Sequence, residues 1–209
     1  MQHFSKEAII NKLNGRQANI MGLQSPKHSA VVIPLLETEN GISVLFEVRA
    51  HSLHSQPSEI CFPGGRVDAT DESNEAAALR EMEEEIGIFP QNATIIAPLD
   101  YLVTPNRGII FPFVAFINDA HTLHVNKDEV DHTFTVPLHY LLNYHVEPFM
   151  LKMKLADDTR FPFDRIPNKE AYLQRQFAYE EYFYTFENYH IWGLTARILK
   201  HFLELTRDK

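Results

Sequence analysis

Residues 62–88 read FPGGRVDATDESNEAAALREMEEEIGI, a diglycine turn followed by an acidic loop and then a helix. The helix is predicted from Glu75, because three alanines and then Leu79, Met82 and Ile86 recur at helical spacing while strand formers are nearly absent. Gly87 ends it. Glu81, Glu84 and Glu85 stand three and four residues apart, so one face of the helix carries three carboxylates within about a turn. Like charges at this spacing destabilise a helix by roughly 0.2–0.5 kcal/mol per pair, and something must offset that. Mg²⁺ and Mn²⁺ take hard oxygen ligands, commonly one or two carboxylates together with substrate phosphates. A solvated acidic face is the competing reading of a bare run of glutamates. The neighbouring residues decide against it: Arg80 precedes the cluster, Gly87 follows it, and Gly64-Gly65 open the loop where a backbone carbonyl can reach the same cation.

Arg80, Glu81, Met82, Glu83, Glu84, Glu85, Ile86, Gly87 and Ile88 spell Arg-Glu-apolar-any-Glu-Glu-any-Gly-apolar. Gly65 to Ile88 thereby resembles the Nudix box of the Nudix hydrolases. The general box has a glutamate six residues after the glycine and eight before the arginine. Here Asp71 keeps the glycine spacing and Glu72 the arginine spacing, so the loop is one residue longer. That longer loop is similar to the coenzyme A pyrophosphatase branch, as are Pro57 to Gly65 and the upstream Leu45-Phe46, Arg49 and Ala50. His54 stands where the branch usually has arginine, and Ser58 where it usually has glycine. Ile191 to Leu199, IWGLTARIL, looks like the branch's C-terminal segment, so the resemblance runs from about Ser29 to the last helix.

The resemblance implies an α/β fold, an α/β/α sandwich around a mixed β-sheet. It also implies hydrolysis of the diphosphate linkage of coenzyme A or acyl-CoA to 3′,5′-ADP and 4′-phosphopantetheine or its acylated form. Glu81 and Glu85, helped by Glu84 and the Gly65 carbonyl, are the expected holders of Mg²⁺ or Mn²⁺. Glu84 is the expected base, with Glu129 the other candidate, and Arg80 is expected to pair with Asp71 or Glu72 and orient the helix. Arg49, His54, Arg66 and Arg107 are the candidate substrate contacts. Two alternatives stand beside this reading. One is cleavage of ADP-ribose or another nucleoside diphosphate derivative, and the other is a nucleotide-sensing domain without catalysis.

A chain of 209 residues, 44% of them hydrophobic and 11% aromatic, suits one globular domain over 1–209 with a sizeable core. The net charge of −9 argues against a general nucleic-acid binder, which needs a basic stripe to displace phosphate counterions. The N-terminus has no apolar segment of signal-peptide length, and Ile109 to Ile117 is too short to span a bilayer, so a cytoplasmic protein without a membrane partner is expected. Cys61 is the single cysteine and reads as a packed residue beside the turn.

Elsewhere, Ser5 is predicted to cap a packing helix through Leu13. Val31 to Leu36 reads as a buried strand with Pro34 near an edge or bulge, and Ile42 to Arg49 as the returning strand. Ala93 to Val103 and Gly108 to Ile117 read as two more, the second central. Phe149 to Lys154 and Tyr179 to Phe186 are further predicted strands, and 191–206 an amphipathic helix. The aromatic density of this last third suggests core or a homodimer contact.

Overall fold

Alternation along one strand dictates the layering. In β1 (His28–Thr38) Ile33 and Leu35 face one side of the sheet and Ala30, Val32 and Leu36 the other, all of them buried. A strand that is apolar on both faces requires a covering layer on each. The computed structural model describes residues 5–17, 20, 27–104, 108–120, 123–154, 161–173 and 176–207.

After α1 (Lys6–Leu13), β1 pairs antiparallel with β2 (Gly41–Arg49) over four residues only, from Leu35–Val44 to Thr38–Gly41. The two strands then fork. β3 (Ile60–Cys61) pairs with β2 and β4 (Gly64–Arg66) with β1, so the Phe62-Pro63 turn and the diglycine that follows it fill the fork. The sequence places Pro34 near an edge or bulge. It sits instead in an interior strand at the fork, where its missing N–H deprives no neighbouring strand of a partner.

Behind the fork come α2 (Asn74–Ile86), β5 (Ala93–Pro98), β6 (Leu102–Thr104) and β7 (Gly108–Ile117). β7 runs parallel to β1 and carries β5 and β6 on its other edge, while β8 (Val130–Pro137) pairs with β2. The result is a mixed eight-stranded sheet. The single strand expected over 93–103 is thus two pieces: the ladder bulges between Ile95 and Ala97 and stops at Pro98.

α2 lays Ala77, Ala78, Met82 and Ile86 over Ala30, Val32, Leu45 and Ala115. Past α3 (Leu138–Asn143), β9 (Pro148–Lys154), α4 (Lys169–Leu173), β10 (Gln176–Tyr182), β11 (Tyr184–Phe186) and β12 (Tyr189–Ile191), α5 (Gly193–Thr206) closes the opposite face. It packs Ala196, Leu199, Phe202 and Leu203 with Ile33, Val44, Phe46 and Ile110. The α/β/α sandwich is therefore the observed architecture. The stretch predicted as one strand over Tyr179 to Phe186 divides at Phe183: β10 pairs with β9 in a separate two-stranded sheet, and β11 pairs with β12. Ile191 belongs to β12, so the last helix starts two residues later than its periodicity suggests.

Ser5 does cap α1, its Oγ accepting from the Ala8 N–H at 3.2 Å. The expected packing is absent, however, since Ile9, Ile10 and Leu13 are 48%, 52% and 60% exposed. Helical spacing of apolar residues builds a stripe, and burying it needs a second surface, which the described residues do not supply to these three side chains. Among the described residues no helix is long and apolar enough to cross a membrane.

Candidate active site

The fork presses the glycine turn against α2. Gly64 has φ +148°, and a Cβ there would collide with the Ala30 carbonyl and the Val31 backbone. A Cβ on Gly65 would collide with the Glu81 carboxylate. Ser73 fixes the start of α2 by accepting from the Ala76 N–H at 3.0 Å, worth about 1 kcal/mol, and Gly87 ends the helix in the left-handed region.

With the helix so placed, its three carboxylates grade from inside to outside. Glu85 is 3% exposed and accepts the Gly64 N–H at 2.8 Å, Glu81 is half-buried, and Glu84 is exposed. Burial, then the charge of Glu47, pushes Glu85 up to about 9, and burial also raises Glu81.

Arg80 braces this row. Its Nε donates to Asp71 Oδ1 at 3.0 Å, and its Nη2 to Asp71 Oδ2 and the Arg66 carbonyl, both at 3.1 Å. Its Nη1 lies 2.9 Å from Glu81 Oε1 and 3.1 Å from Glu84 Oε2. Of the two partners that spacing leaves open, Asp71 holds the guanidinium, and Glu72 stays exposed. The hydrogen bonds from Arg80 hold the Asp71 carboxyl below its usual range.

One acidic side chain was not singled out from the sequence. Glu47 on β2 is 0% exposed; its Oε1 accepts from the Cys61 thiol at 3.1 Å, and among the described residues its Oε2 has no hydrogen-bond partner. Burial is the main cause that pushes Glu47 up to about 7. The signal was one charged residue inside the apolar run from Val44 to Val48. Cys61 is raised well above its ordinary value by burial and by Glu47, which suits a packed thiol and not a nucleophile.

Gly64, Gly65, Arg49 and Cys61 form one wall of a cleft of about 720 Å³; Trp192, Thr195 and Arg197 line it from the C-terminal side. Among the described residues the Nε of Arg49, buried there, has no hydrogen-bond partner. His54 is exposed and does not line the cleft; the Arg66 side chain is exposed as well. Arg107 lies outside the described residues. Glu129 is half-buried ahead of β8, its carbonyl accepts the Ala50 N–H at 2.8 Å, and its charge raises both Glu47 and Glu81.

Among the described residues no three acidic, histidine or cysteine side chains stand at mutual coordinating distance. Arg80 holds one oxygen of Glu81, and the Gly64 N–H holds one of Glu85. The donor chemistry nevertheless fits a hard divalent cation: the donors are all oxygen, two carboxylates are buried in one another's field, and the surface beside Glu81 is kept clear by a residue without Cβ.

A carboxylate-bearing helix braced against a glycine turn, on a mixed sheet covered on both faces, defines an α/β protein with its acidic site at the sheet fork. Residues 26–154 match the NUDIX domain, well over half of the 209 residues, and the chain belongs to the Nudix family. It is 38% identical over 124 residues to the mouse protein named peroxisomal coenzyme A diphosphatase NUDT7, covering 59% of this chain and 52% of that one. To Nudix hydrolase 15, mitochondrial, of Arabidopsis thaliana it is 29% identical over 187 residues, 88% of this chain and 60% of that one. To the uncharacterized Nudix hydrolase NudL of Enterobacter sp. (strain 638) it is 33% identical over 185 residues, 83% of this chain and 80% of that one. The chain thus spans about half to three fifths of the length of the mouse and Arabidopsis proteins.

Proposed function

We propose that the protein is a divalent-metal-dependent hydrolase that cuts the diphosphate linkage of coenzyme A or acyl-CoA, giving 3′,5′-ADP and 4′-phosphopantetheine or its acylated form. The observation that carries this reading is the seating of Glu81 and Glu85 against the diglycine turn, whose glycines also line the cleft. Glu81 and Glu85, with Glu84 and the Gly65 carbonyl, would hold Mg²⁺ or Mn²⁺. When bound, the cation neutralises diphosphate oxygens and lowers the pKa of the attacking water. Glu84, the most exposed of the three, accepts the water's proton, and Glu129 is the other group suited to that task. Arg80 holds Glu81 and Glu84 in position, and Arg49, with its unpartnered Nε in the cleft wall, binds a phosphate. Arg66 and His54 would reach a substrate only from the rim.

The coenzyme A assignment is supported by the signature residues Arg49, Ala50 and Phe62 to Gly65 and by the name of the mouse relative. Incubating the chain with Mg²⁺ and a panel of coenzyme A, acyl-CoA, ADP-ribose and dinucleotides, with products identified by mass, tests it. Cleavage of coenzyme A or its thioesters to 3′,5′-ADP is the expected result. Preferential cleavage of ADP-ribose overturns the substrate, and no cleavage of any substrate overturns the reaction. Glu81→Gln is expected to lower turnover by on the order of 10³-fold, and unchanged turnover would remove the metal-dependent mechanism.

Two further expectations join this proposal. A homodimer through the last third is supported by the exposed Phe149, Met150, Phe177 and Trp192, and light scattering on the purified chain tests it. A cytoplasmic setting is tested by fractionating cells that express the tagged chain, with peroxisomal recovery as the contrary outcome.

A further inference from the structure

Glu47, Glu85 and Gly64 border one turn from different elements. The register pairs Glu47 on β2 with Cys61 on β3, three residues before Gly64, and the Gly64 N–H holds Glu85 from α2. Glu47 is fully buried, yet its carboxylate receives only one weak thiol donor, and its Oε2 receives none. Elsewhere a buried carboxylate is paired or hydrogen-bonded on both oxygens. The charged groups in its field are Glu81, Glu85 and Glu129 against Arg49, so the surroundings add negative charge where a cation is wanted.

We propose that Glu47 gives its unpartnered Oε2 to the same divalent cation that Glu81 and Glu85 hold, so that the cation is gripped from the sheet as well as from the helix. This rests on the metal-dependent reading above and adds a residue that the acidic helix does not contain. It assigns the orphan oxygen a partner, and it explains why a glutamate sits inside the otherwise apolar run from Val44 to Val48. Gripped in this way, the cation ties α2 to β2 across the fork, so binding stabilises the fold as well as the site.

The test is a Mn²⁺ titration of the metal-free full chain, with free Mn²⁺ read by electron paramagnetic resonance and the melting temperature followed with and without the ion. The unaltered chain is expected to bind Mn²⁺ and to melt higher with it. Glu47→Gln, which keeps the shape and removes the charge, is expected to bind at least about tenfold more weakly and to lose most of the Mn²⁺-induced rise. If the unaltered chain binds no Mn²⁺, the metal-dependent reading itself falls. If it binds and Glu47→Gln binds equally well, the metal-dependent reading stands and Glu47 is not a ligand. Should Glu47→Gln not fold, Glu47→Asp carries the same test: it keeps the charge and withdraws the oxygen, so weaker binding supports the assignment and equal binding overturns it.

Discussion

The contact of α2 with the sheet and the β9–β10 hairpin are both apolar, yet they are opposites in burial. On α2, Ala77, Ala78, Met82 and Ile86 are each 0% exposed, whereas Phe149, Met150, Met153 and Phe177 on the hairpin are about half exposed. The difference is one of layers. The inner face of α2 meets a sheet whose alternate residues point at it, while among the described residues β9 and β10 pair with each other and with no third strand, and β10 approaches α5. Periodicity tells which side chains share a face, and only a second surface turns that face into core.

The sharpest way to break this comparison is to remove one large side chain from each region. Met82→Ala is expected to cost about 2–5 kcal/mol in urea unfolding, and Met150→Ser less than about 0.5 kcal/mol in the isolated chain. Equal losses would mean that the hairpin is covered after all.

Next in size is Gly65→Ala. The added methyl group displaces the Glu81 carboxylate, so turnover on whichever diphosphate the panel identifies is expected to fall about 10²-fold while the fold persists. A fully active Gly65→Ala would separate the turn from the chemistry.

The buried carboxylates sharpen the contrast by pH. Glu47 and Glu85 bind protons more tightly in the folded chain than at their ordinary value of 4.5. Their contribution to stability is therefore complete below about pH 4.5 and is lost as pH rises through about 7 for Glu47 and about 9 for Glu85. Without divalent cations the melting temperature is expected to drop by several degrees across that window, and to recover when Mn²⁺ is added. A flat metal-free profile would contradict the burial of these groups.

The smallest effect is at Ser58, which holds φ +63° with its hydroxyl 2.5 Å from His51 Nδ1. Ser58→Gly relieves the left-handed backbone and loses that contact, for a net gain of up to about 1 kcal/mol by thermal melting.

The same contrast explains what could be read from the chain beforehand. α2 was legible because its signals are local: alanines, a terminating glycine and apolar residues at helical spacing; the Ser73 cap, which starts the helix one residue earlier, was not read. The buried strands β1, β2 and β7 were legible for the same reason, being short apolar runs between breakers. The fork was not, because where two strands part company depends on what is inserted between them. Glu47 escaped notice because a lone acid in a strand reads equally well as a solvent-facing position, and only the insertion of β3 seals it in. Spacing left Asp71 and Glu72 as rivals for Arg80, and the fold of the loop chose between them. The aromatic run after Tyr179 looked continuous because nothing in its composition marks the change of strand partner at Phe183.

With Gly64 wedged on the Ala30–Val31 backbone and Gly65 on Glu81, the turn has no slack on either side. The gap between sheet and acidic helix is set by main-chain contact on the sheet side, at Gly64, and by the Glu81 carboxylate on the helix side, at Gly65. Trp192 and Arg197 line the cleft away from that contact, whereas the Thr195 hydroxyl donates to the Ile60 carbonyl of β3 at 3.0 Å and so ties α5 to the fork. A lineage built on this frame can therefore change its cleft lining at positions such as Trp192 and Arg197 while the seat of Glu81 and Glu85 against the diglycine turn is kept.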